Sequence, residues 1–444
     1  MVTISRALRR IKADLEPFLP NESILAACRQ AGHRWRERRF GPVQTIHLFV
    51  LQVLHCNTAI RHLRHLAKFP VNAAAYCKAR MRLPLEVLQA LLRQSGEALA
   101  PAAGHGSDLA RWCGLRVLLV DGSSAIAPET PQLCKAFGRP TGQKKGCGFS
   151  VPKVLGLFDA ATGLILELLA FPLFTNEMSK VWALHPSLAP GDLLVADRGL
   201  CSYAHLALLC ARRVVGLFRI PDAKQIVSFR PHRRHGGKGR PKSRWVKRLG
   251  KHDQLVEWFK PKQRPKWMTP RQYQSLPDSL SVREVRYRLA RKGQRTSCVT
   301  IVTTLLDPLA YPKEKIQELY GVRWQAETHF GELKTTLGMR RVKCQSVQGV
   351  MKELAVYCLV YNLVHAVMVE AARRQGVEPD RISFLDTLRW LLSAEPGEAL
   401  PDLVVNPRRP DRHEPRVIKD LQDTYRKMTR PRKELLRKPQ LTRR

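Results

Sequence analysis

Two short apolar runs constrain the fold of this chain more than any other feature. They are LRVLLVDGSS, which begins at Leu115, and DLLVADRGL, which begins at Asp192. A continuous apolar run of this length that ends at a turn is typical of a strand buried on both faces of a sheet. In each stretch an aspartate directly follows the apolar residues, Asp121 in the first and Asp197 in the second. We therefore predict an α/β domain in which these two strands are central and neighbouring.

The segments between and after these runs complete the predicted sheet. KVLGLFDAATGLILELLAF reads as two strands joined in a hairpin by the turn at 159–163, and VVGLFRI reads as a last strand. Helical patterns cover 176–184 and SYAHLALLCARR. The predicted order is strand, strand, strand, helix, strand, helix, strand, which describes an antiparallel meander that feeds parallel strands.

Composition and periodicity divide the chain into five regions. Residues 1–108 read as helical, and three further strand-like runs follow the sheet within a mainly β insertion. We predict a helical N-terminal DNA-binding region (1–108) and a core in two parts (109–222 and 312–375). A mainly β insertion (223–311) separates the two parts, and a basic region (376–444) follows the core. Between Arg230 and Lys251 there are ten basic residues and no acidic one, so this loop is predicted to be mobile without a partner.

Charge indicates the kind of partner. The chain of 444 residues carries 76 Lys and Arg against 37 Asp and Glu, a net charge of +39, yet its hydrophobic share of 44 % is that of a globular protein. A polyanion is the expected partner, and nucleic acid is the commonest one. The rival, a membrane surface, finds no support. The longest apolar run, Leu354–Val369, contains Asn362 and His365 and predicts a buried helix.

Several other functions are excluded by missing motifs. The sequence has no phosphate-binding G-x-x-x-x-G-K-[ST] loop, no G-x-G-x-x-G after a strand and no G-x-S-x-G elbow. The 11 cysteines include no C-x-x-C pair, which gives no indication of a zinc framework or a secreted disulfide scaffold. We expect a cytoplasmic protein with reduced thiols.

The stretch YGVRWQAETHFGELK, from Tyr320 to Lys334, carries a regular polar row. On a helix that turns about 100° per residue, Tyr320, Arg323, Glu327 and Lys334 fall within about 60° of arc. An apolar stripe lies beside them, formed by Val322, Ala326, Phe330, Leu333 and Leu337. A surface helix with an Arg323–Glu327 i,i+4 pair would explain this helix alone.

The two aspartates give the row a second interpretation. Strand ends of open α/β sheets face the functional crevice, so a helix packed on the sheet could bring Glu327 beside Asp121 and Asp197. Three converging carboxylates repel unless a cation neutralises them, and carboxylate oxygens suit two Mg²⁺ ions. Two such ions suit phosphodiester chemistry. Arg323 and Lys334 would then hold flanking phosphates, and Tyr320 would donate a hydrogen bond to another. Arg198, next to Asp197, is a further candidate for DNA binding, and balancing the charge of the aspartate is the alternative role.

The row Y-x2-R-x3-E-x6-K resembles the Y-R-E-K signature of the IS-four-type DDE transposases of bacterial insertion sequences. D-G-S at Asp121 and A-D-R-G at Ala196 match in the same order, and the resemblance covers nearly the whole chain. It implies an RNase H-like core with a triad of Asp121, Asp197 and Glu327. In this triad Asp121 bridges two Mg²⁺ ions, for which Mn²⁺ can substitute.

The resemblance also implies partners and a cellular location. Tyr320, Arg323 and Lys334 resemble residues that grip the transposon end, and the partners would be double-stranded terminal inverted repeats and target DNA. A homodimer on DNA is expected because two ends must be paired, in a bacterial cytoplasm close to the nucleoid. Some relatives hold a flipped base with a tryptophan of the insertion, but no local motif singles out one tryptophan here.

Two alternatives stay open from the sequence. One is a DNA-binding repressor or domesticated transposase without strand transfer, although all three carboxylates are intact. The other is an RNase H-like nuclease that hydrolyses DNA without joining it. The helical N-terminal region, the basic insertion and the basic tail favour a recombinase that recognises DNA ends.

Overall fold

A computed structural model describes most of the chain outside its two ends. The described residues are 19–36, 39–67, 70–99, 109, 111–142, 148–221, 228–234, 242–289, 297–394, 398–407 and 434. The middle of the predicted basic loop and nearly all of the basic tail after Asn406 lie outside them.

The described strands form one mixed nine-stranded sheet. They are β1 (Arg116–Ser124), β2 (Lys153–Asp159), β3 (Ile165–Phe171), β4 (Asp192–Ala196), β5 (Val215–Arg219), β6 (Ser243–Gly250), β7 (Asp253–Phe259), β8 (Ser279–Leu289) and β9 (Ser297–Thr303). Their order in the sheet is β3-β2-β1-β4-β5-β9-β8-β7-β6. The α/β class predicted from the sequence is therefore confirmed.

The described helices surround this sheet. They are α1 (Asn21–Gln30), α2 (Pro42–Leu54), α3 (Leu63–Leu66), α4 (Ala73–Arg82), α5 (Leu85–Leu99), α6 (Pro131–Phe137), α7 (Tyr203–Ala211), α8 (Pro270–Gln274), α9 (Lys313–Val322), α10 (Trp324–Gly331), α11 (Val347–Gln375) and α12 (Phe384–Ser393). The segment Glu332–Thr336 that follows α10 is a π-helical turn.

The first five strands have the predicted connectivity. β1 pairs antiparallel with β2, and β2 with β3, whereas β1 pairs parallel with β4, and β4 with β5. Two details differ from the prediction. A short helix, α6, lies between β1 and β2, and the predicted helix over 176–184 consists of 3₁₀ turns. The latter contain Pro186, whose missing N–H disfavours a continuous α-helix.

The insertion extends the same sheet. β9 pairs antiparallel with β5, and β8, β7 and β6 follow outward. The three predicted strands are present, but β6 falls within the basic stretch that was predicted to be mobile. Its basic residues Arg244, Lys247 and Arg248 are exposed at the edge of the sheet, where β7 supplies the backbone hydrogen bonds whatever the side-chain charge.

The long helix α11 is the central helix of the helical layer. By length and composition it could cross a membrane, but 94 % of its most apolar window is buried inside the protein. It packs against α5, α2 and β3. The prediction of a buried helix over 354–369 is thus confirmed, and the apolar run is explained by the core rather than by lipid.

Candidate active site

Strand register places the two aspartates side by side. Val120 of β1 pairs with Ala196 of β4 in a parallel ladder, so the next residues, Asp121 and Asp197, lie at neighbouring positions. Asp197 follows the end of β4, and its Oδ1 accepts the N–H of Arg198 at 2.6 Å. Asp121 does not end its strand as predicted. β1 continues to Ser124 because residues 121–124 still pair with β2.

The Asp121 side chain points toward the helical layer, because side chains alternate between the two faces of a strand. Successive strand residues point to opposite faces, so Asp121 shares its face with Val117 and Leu119. Those two residues belong to the same apolar core as Ala326 and Phe330 of α10. The predicted apolar stripe therefore does pack on the sheet, and it carries Glu327 to the edge where Asp121 lies.

A glycine permits this close approach. Gly156 of β2 is the register partner of Asp121, and a Cβ built there would lie 3.0 Å from the Phe330 ring and 2.7 Å from that of Phe158. The Phe158 and Phe330 rings pack edge to face, with centroids 5.3 Å apart. Any larger residue at Gly156 would have to displace these rings and shift α10 from the sheet.

The predicted continuous helix is divided in the structure. α9 ends at Val322, α10 begins at Trp324, and Lys334 lies in the π turn. Glycines stand near both changes, at 321 and 331, and glycine lowers helix stability by about 1 kcal/mol. π turns recur at functional sites in proteins. The polar row is therefore not one straight stripe, because the π turn changes the direction in which the Lys334 side chain points.

The electrostatics couple the three carboxylates. The pKa of Asp121 is raised to about 6, mainly by burial; the Gly122 N–H and Arg323 act to lower it, and the negative charges of Glu327 and Asp197 act to raise it. Arg323 Nη2 lies 3.2 Å from Glu327 Oε1. The structure thus brings the predicted acids within electrostatic reach of one another. The side chain of Glu327 is 46 % exposed.

The predicted DNA-contacting residues are placed unequally. Lys334 Nζ donates to Ser123 Oγ at 3.0 Å, which puts its ammonium group two residues along β1 from Asp121. Arg198 is exposed beside Asp197. By contrast, the hydroxyl of Tyr320 is buried and has no hydrogen-bond partner among the described residues. Burial raises the pKa of the Tyr320 phenol, so the group stays protonated.

Sequence reasoning missed a second polar cluster on the same helical segment. His329, Glu332 and His365 converge, and Tyr361 lies 3.3 Å from Glu332 Oε2. Although burial acts to raise it, contacts with His329 and His365 hold the pKa of Glu332 at about 2. The i,i+3 spacing of His329 and Glu332 was a usable signal. The third member, His365, lies on α11, and no local pattern connects it to them.

Comparison with known proteins identifies the class. A family model described as the transposase DDE domain matches residues 112–363. The chain belongs to the DDE transposase family. The match spans β1 to the middle of α11, and it therefore includes both aspartates, the insertion and the Glu327 segment. A DNA transposase of this family is a metal-dependent enzyme of DNA strand cleavage and transfer.

Individual relatives agree with the family. The transposase is similar to transposase InsG for insertion sequence element IS4 of Escherichia coli (strain K12), with 26 % identity over 370 residues that cover 79 % of this chain and 77 % of that protein. A cryo-EM structure of piggyBac transposase in a synaptic complex with hairpin DNA aligns with a TM-score of 0.41 and 8 % identity, over 85 % of this chain and 78 % of that one.

Proposed function

We propose that this transposase binds the ends of its insertion sequence, cleaves them and joins the 3′ hydroxyl to target DNA at a site formed by Asp121, Asp197 and Glu327. The observation that carries the proposal is the coupling of these acids at one edge of the sheet: charges on Glu327 and Asp197 both act on Asp121. A folded protein gains nothing from placing three carboxylates together unless a cation joins them.

The donor set fits divalent metal ions. All three groups offer hard oxygen ligands, as Mg²⁺ and Mn²⁺ require, and the partial exposure of Asp197 and Glu327 leaves positions for water and phosphate. Asp121, Asp197 and Glu327 would together hold the ions, and the family resemblance implies that Asp121 would contribute to both. When bound, the ions would activate the attacking hydroxyl and stabilise the leaving oxygen.

Cationic residues around this edge would hold the DNA. Lys334 and Arg198 flank the acids from two sides, and Arg323 is tied to Glu327 at 3.2 Å, so it would orient that carboxylate until a phosphate competes for it. Because the Tyr320 hydroxyl is buried, a contact from it to DNA would require α9 to move. The net charge of +39 supplies the general attraction to DNA.

The sheet supports an RNase H-like core. We assign it to 109–222 and 312–375, since β3-β2-β1-β4-β5 combines an antiparallel meander with two parallel strands and the Glu327 segment packs on one face. The insertion 223–311, the helical region 1–108 and the basic region 376–444 would then contact DNA. Pairing two element ends favours a homodimer on DNA, and the expected location is the bacterial cytoplasm, close to the nucleoid.

The test is an end-joining reaction. The full chain is incubated with Mg²⁺, a plasmid target and labelled duplexes that carry the repeats flanking its own gene, and products are separated by electrophoresis. We expect labelled ends covalently joined to the plasmid, with no product in chelator and with Mn²⁺ also active.

Matched variants decide what the products mean. Glu327→Gln should give no joined product, whereas Glu318→Gln, an exposed acid on α9, should behave as the natural protein. Hydrolysed ends without joining would reduce the function to that of a nuclease. DNA binding without any cleavage by the natural chain would indicate a DNA-binding protein that has lost its chemistry.

A further inference from the structure

A second set of candidate metal ligands, which includes none of the three acids, lies on α10, the π turn and α11. It consists of His329, Glu332 and His365, whose ligand atoms all lie within 4.8 Å of one another. Glu332 Oε2 is 3.5 Å from His329 Nδ1 and 3.3 Å from His365 Nε2. Two imidazoles therefore converge on one carboxylate oxygen.

The hydrogen bonds of His365 do not account for its contact with Glu332. Its Nδ1 lies 3.1 Å from the carbonyl oxygen of Thr162, which only accepts, so Nδ1 carries a hydrogen. A neutral imidazole has one N–H, so its Nε2 then turns a lone pair toward the carboxylate of Glu332. Two acceptors repel at that distance. Either a second proton on His365 or a metal ion must lie between them.

The distances favour the metal. A hydrogen bond between an imidazolium and a carboxylate is short, about 2.7–2.9 Å. Four-coordinate zinc holds its ligands at about 2.0–2.1 Å, which separates the ligand atoms of a tetrahedron by about 3.4 Å. The two separations, 3.3 Å and 3.5 Å, are close to that edge and longer than the ionic hydrogen bond.

The surroundings orient the donors as a metal site requires. The Thr162 carbonyl fixes the His365 tautomer, which leaves Nε2 free to coordinate. Gly163, at φ +72°, permits both rings to approach, because a Cβ there would lie 2.6 Å from the His365 ring and 3.1 Å from that of His329. His329 Nε2 is buried without a hydrogen-bond partner in the described part of the chain, so the Nδ1 side provides its polar contact.

We propose that His329, Glu332 and His365 bind one transition-metal ion, with zinc as the best match to the donor set. Two imidazoles and one carboxylate suit zinc, whereas Mg²⁺ prefers oxygen ligands alone. The ion joins the end of α10 to α11, and His329 is two residues after Glu327, so the metal fixes the segment that carries this acid. The proposal does not depend on the assignment of the catalytic triad.

The first measurement uses the natural full-length protein without an affinity tag. After purification and dialysis, metal analysis should find one zinc per chain. Removal of zinc by a chelator followed by titration with Co²⁺, in excess Mg²⁺ to fill the carboxylate site, should give the intense visible absorption of four-coordinate cobalt. Octahedral cobalt on oxygen ligands absorbs far more weakly, so the spectrum separates the two sites.

Variants locate the ion. His365→Gln and Glu332→Gln should each weaken zinc binding by at least about tenfold, since each removes one of three ligands. Asp121→Asn, which alters only the carboxylate site, should keep one zinc per chain and the same cobalt spectrum. The natural protein decides the matter even if a variant fails to fold. Absence of zinc together with a purely octahedral cobalt spectrum would overturn the proposal and leave a His365–Glu332 ion pair.

Discussion

Two glutamates five residues apart on one helical segment have opposite surroundings. Glu327 is 46 % exposed, lies within reach of the charge of Asp121, and forms an ion pair with Arg323 at 3.2 Å. Glu332 is 18 % exposed and is surrounded by His329, His365 and Tyr361. The first lies where like charges accumulate, and the second lies where every neighbour can donate or coordinate.

The contrast separates function from stability. Like charges placed together destabilise a fold, and a protein keeps such an arrangement for the chemistry that it supports. A buried carboxylate with complementary partners instead contributes to folding, and removing it leaves those partners uncompensated. Substitutions at the two glutamates should therefore differ in kind, one affecting activity and the other the folded state.

The largest expected effect is on strand cleavage. Asp121→Asn, Asp197→Asn and Glu327→Gln should each reduce cleavage of an element end by about 1,000-fold or more, because each removes a metal ligand, while DNA affinity is retained. The measurement pairs a cleavage assay with a binding titration on the same duplex. Loss of binding in all three variants would assign these acids a structural role and erase the distinction between the two glutamates.

The next effect is on stability at the second glutamate. Glu332→Gln should lower the free energy of unfolding by about 3 kcal/mol, as expected when one member of a buried charged cluster is removed. Urea titration measures it, with Glu327→Gln as the matched control, for which the change should be close to zero. Equal destabilisation of the two variants would contradict the comparison.

The pH dependence of this contribution has a definite sign. The pKa of Glu332 is lowered from 4.5 to about 2 in the folded protein, so its stabilisation is complete above about pH 5 and is lost as the pH falls toward 2. Glu332→Gln should therefore lose its stability deficit in acid. A deficit that persists unchanged at pH 3 would show that packing, not charge, is responsible.

Asp121 should show the reverse behaviour in metal-free protein. Its folded pKa is raised from 3.8 to about 6, so ionisation opposes folding at neutral pH and that cost fades as the pH falls from 6 toward 4. Asp121→Asn should stabilise the metal-free chain by about 1 kcal/mol at pH 7.5, after allowance for solvent screening. Thermal unfolding in chelator measures it. A destabilised variant at pH 7.5 would show that the buried charge of Asp121 does not oppose folding.

The smallest effect concerns one DNA contact. Lys334→Ala should weaken binding to an element end and reduce the salt dependence of log Kd by about one unit, because one phosphate contact is lost. Binding titrations at several salt concentrations measure the slope. Lys315→Ala, an exposed lysine on α9, serves as the control. An unchanged slope in Lys334→Ala would remove this lysine from the phosphate-contacting set.

Much of the fold was accessible from local pattern. The buried apolar runs predicted β1 and β4 because strands covered on both faces need uninterrupted apolar residues. The hairpin of β2 and β3 and the buried helix α11 followed from similar signals. β6 was not predicted, since it carries three exposed basic residues within a basic stretch, and only pairing with β7 makes this segment a strand. The π turn at 332–336 was missed because periodicity assumes a uniform helix.

The sequence suggested candidate members of the site but not their arrangement. Spacing selected Glu327 and its cationic neighbours, and strand position selected Asp121 and Asp197. Residue spacing did not show that the Tyr320 hydroxyl is buried. A helical wheel gives the direction of a side chain around the helix axis, but not which other parts of the protein pack against that side.

The sequence by itself determined the α/β class and the likeness to a DNA strand-transfer enzyme, and it selected the candidate acids, because periodicity and motif spacing are local properties of the chain. Only the tertiary structure decided which acids lie close enough to affect each other's pKa and which glutamate contacts histidines. Glu332 and His365 are 33 positions apart, and no local pattern in the sequence between them predicts their contact. Packing of α10 and α11 against one sheet brings them together, and that packing depends on the whole core.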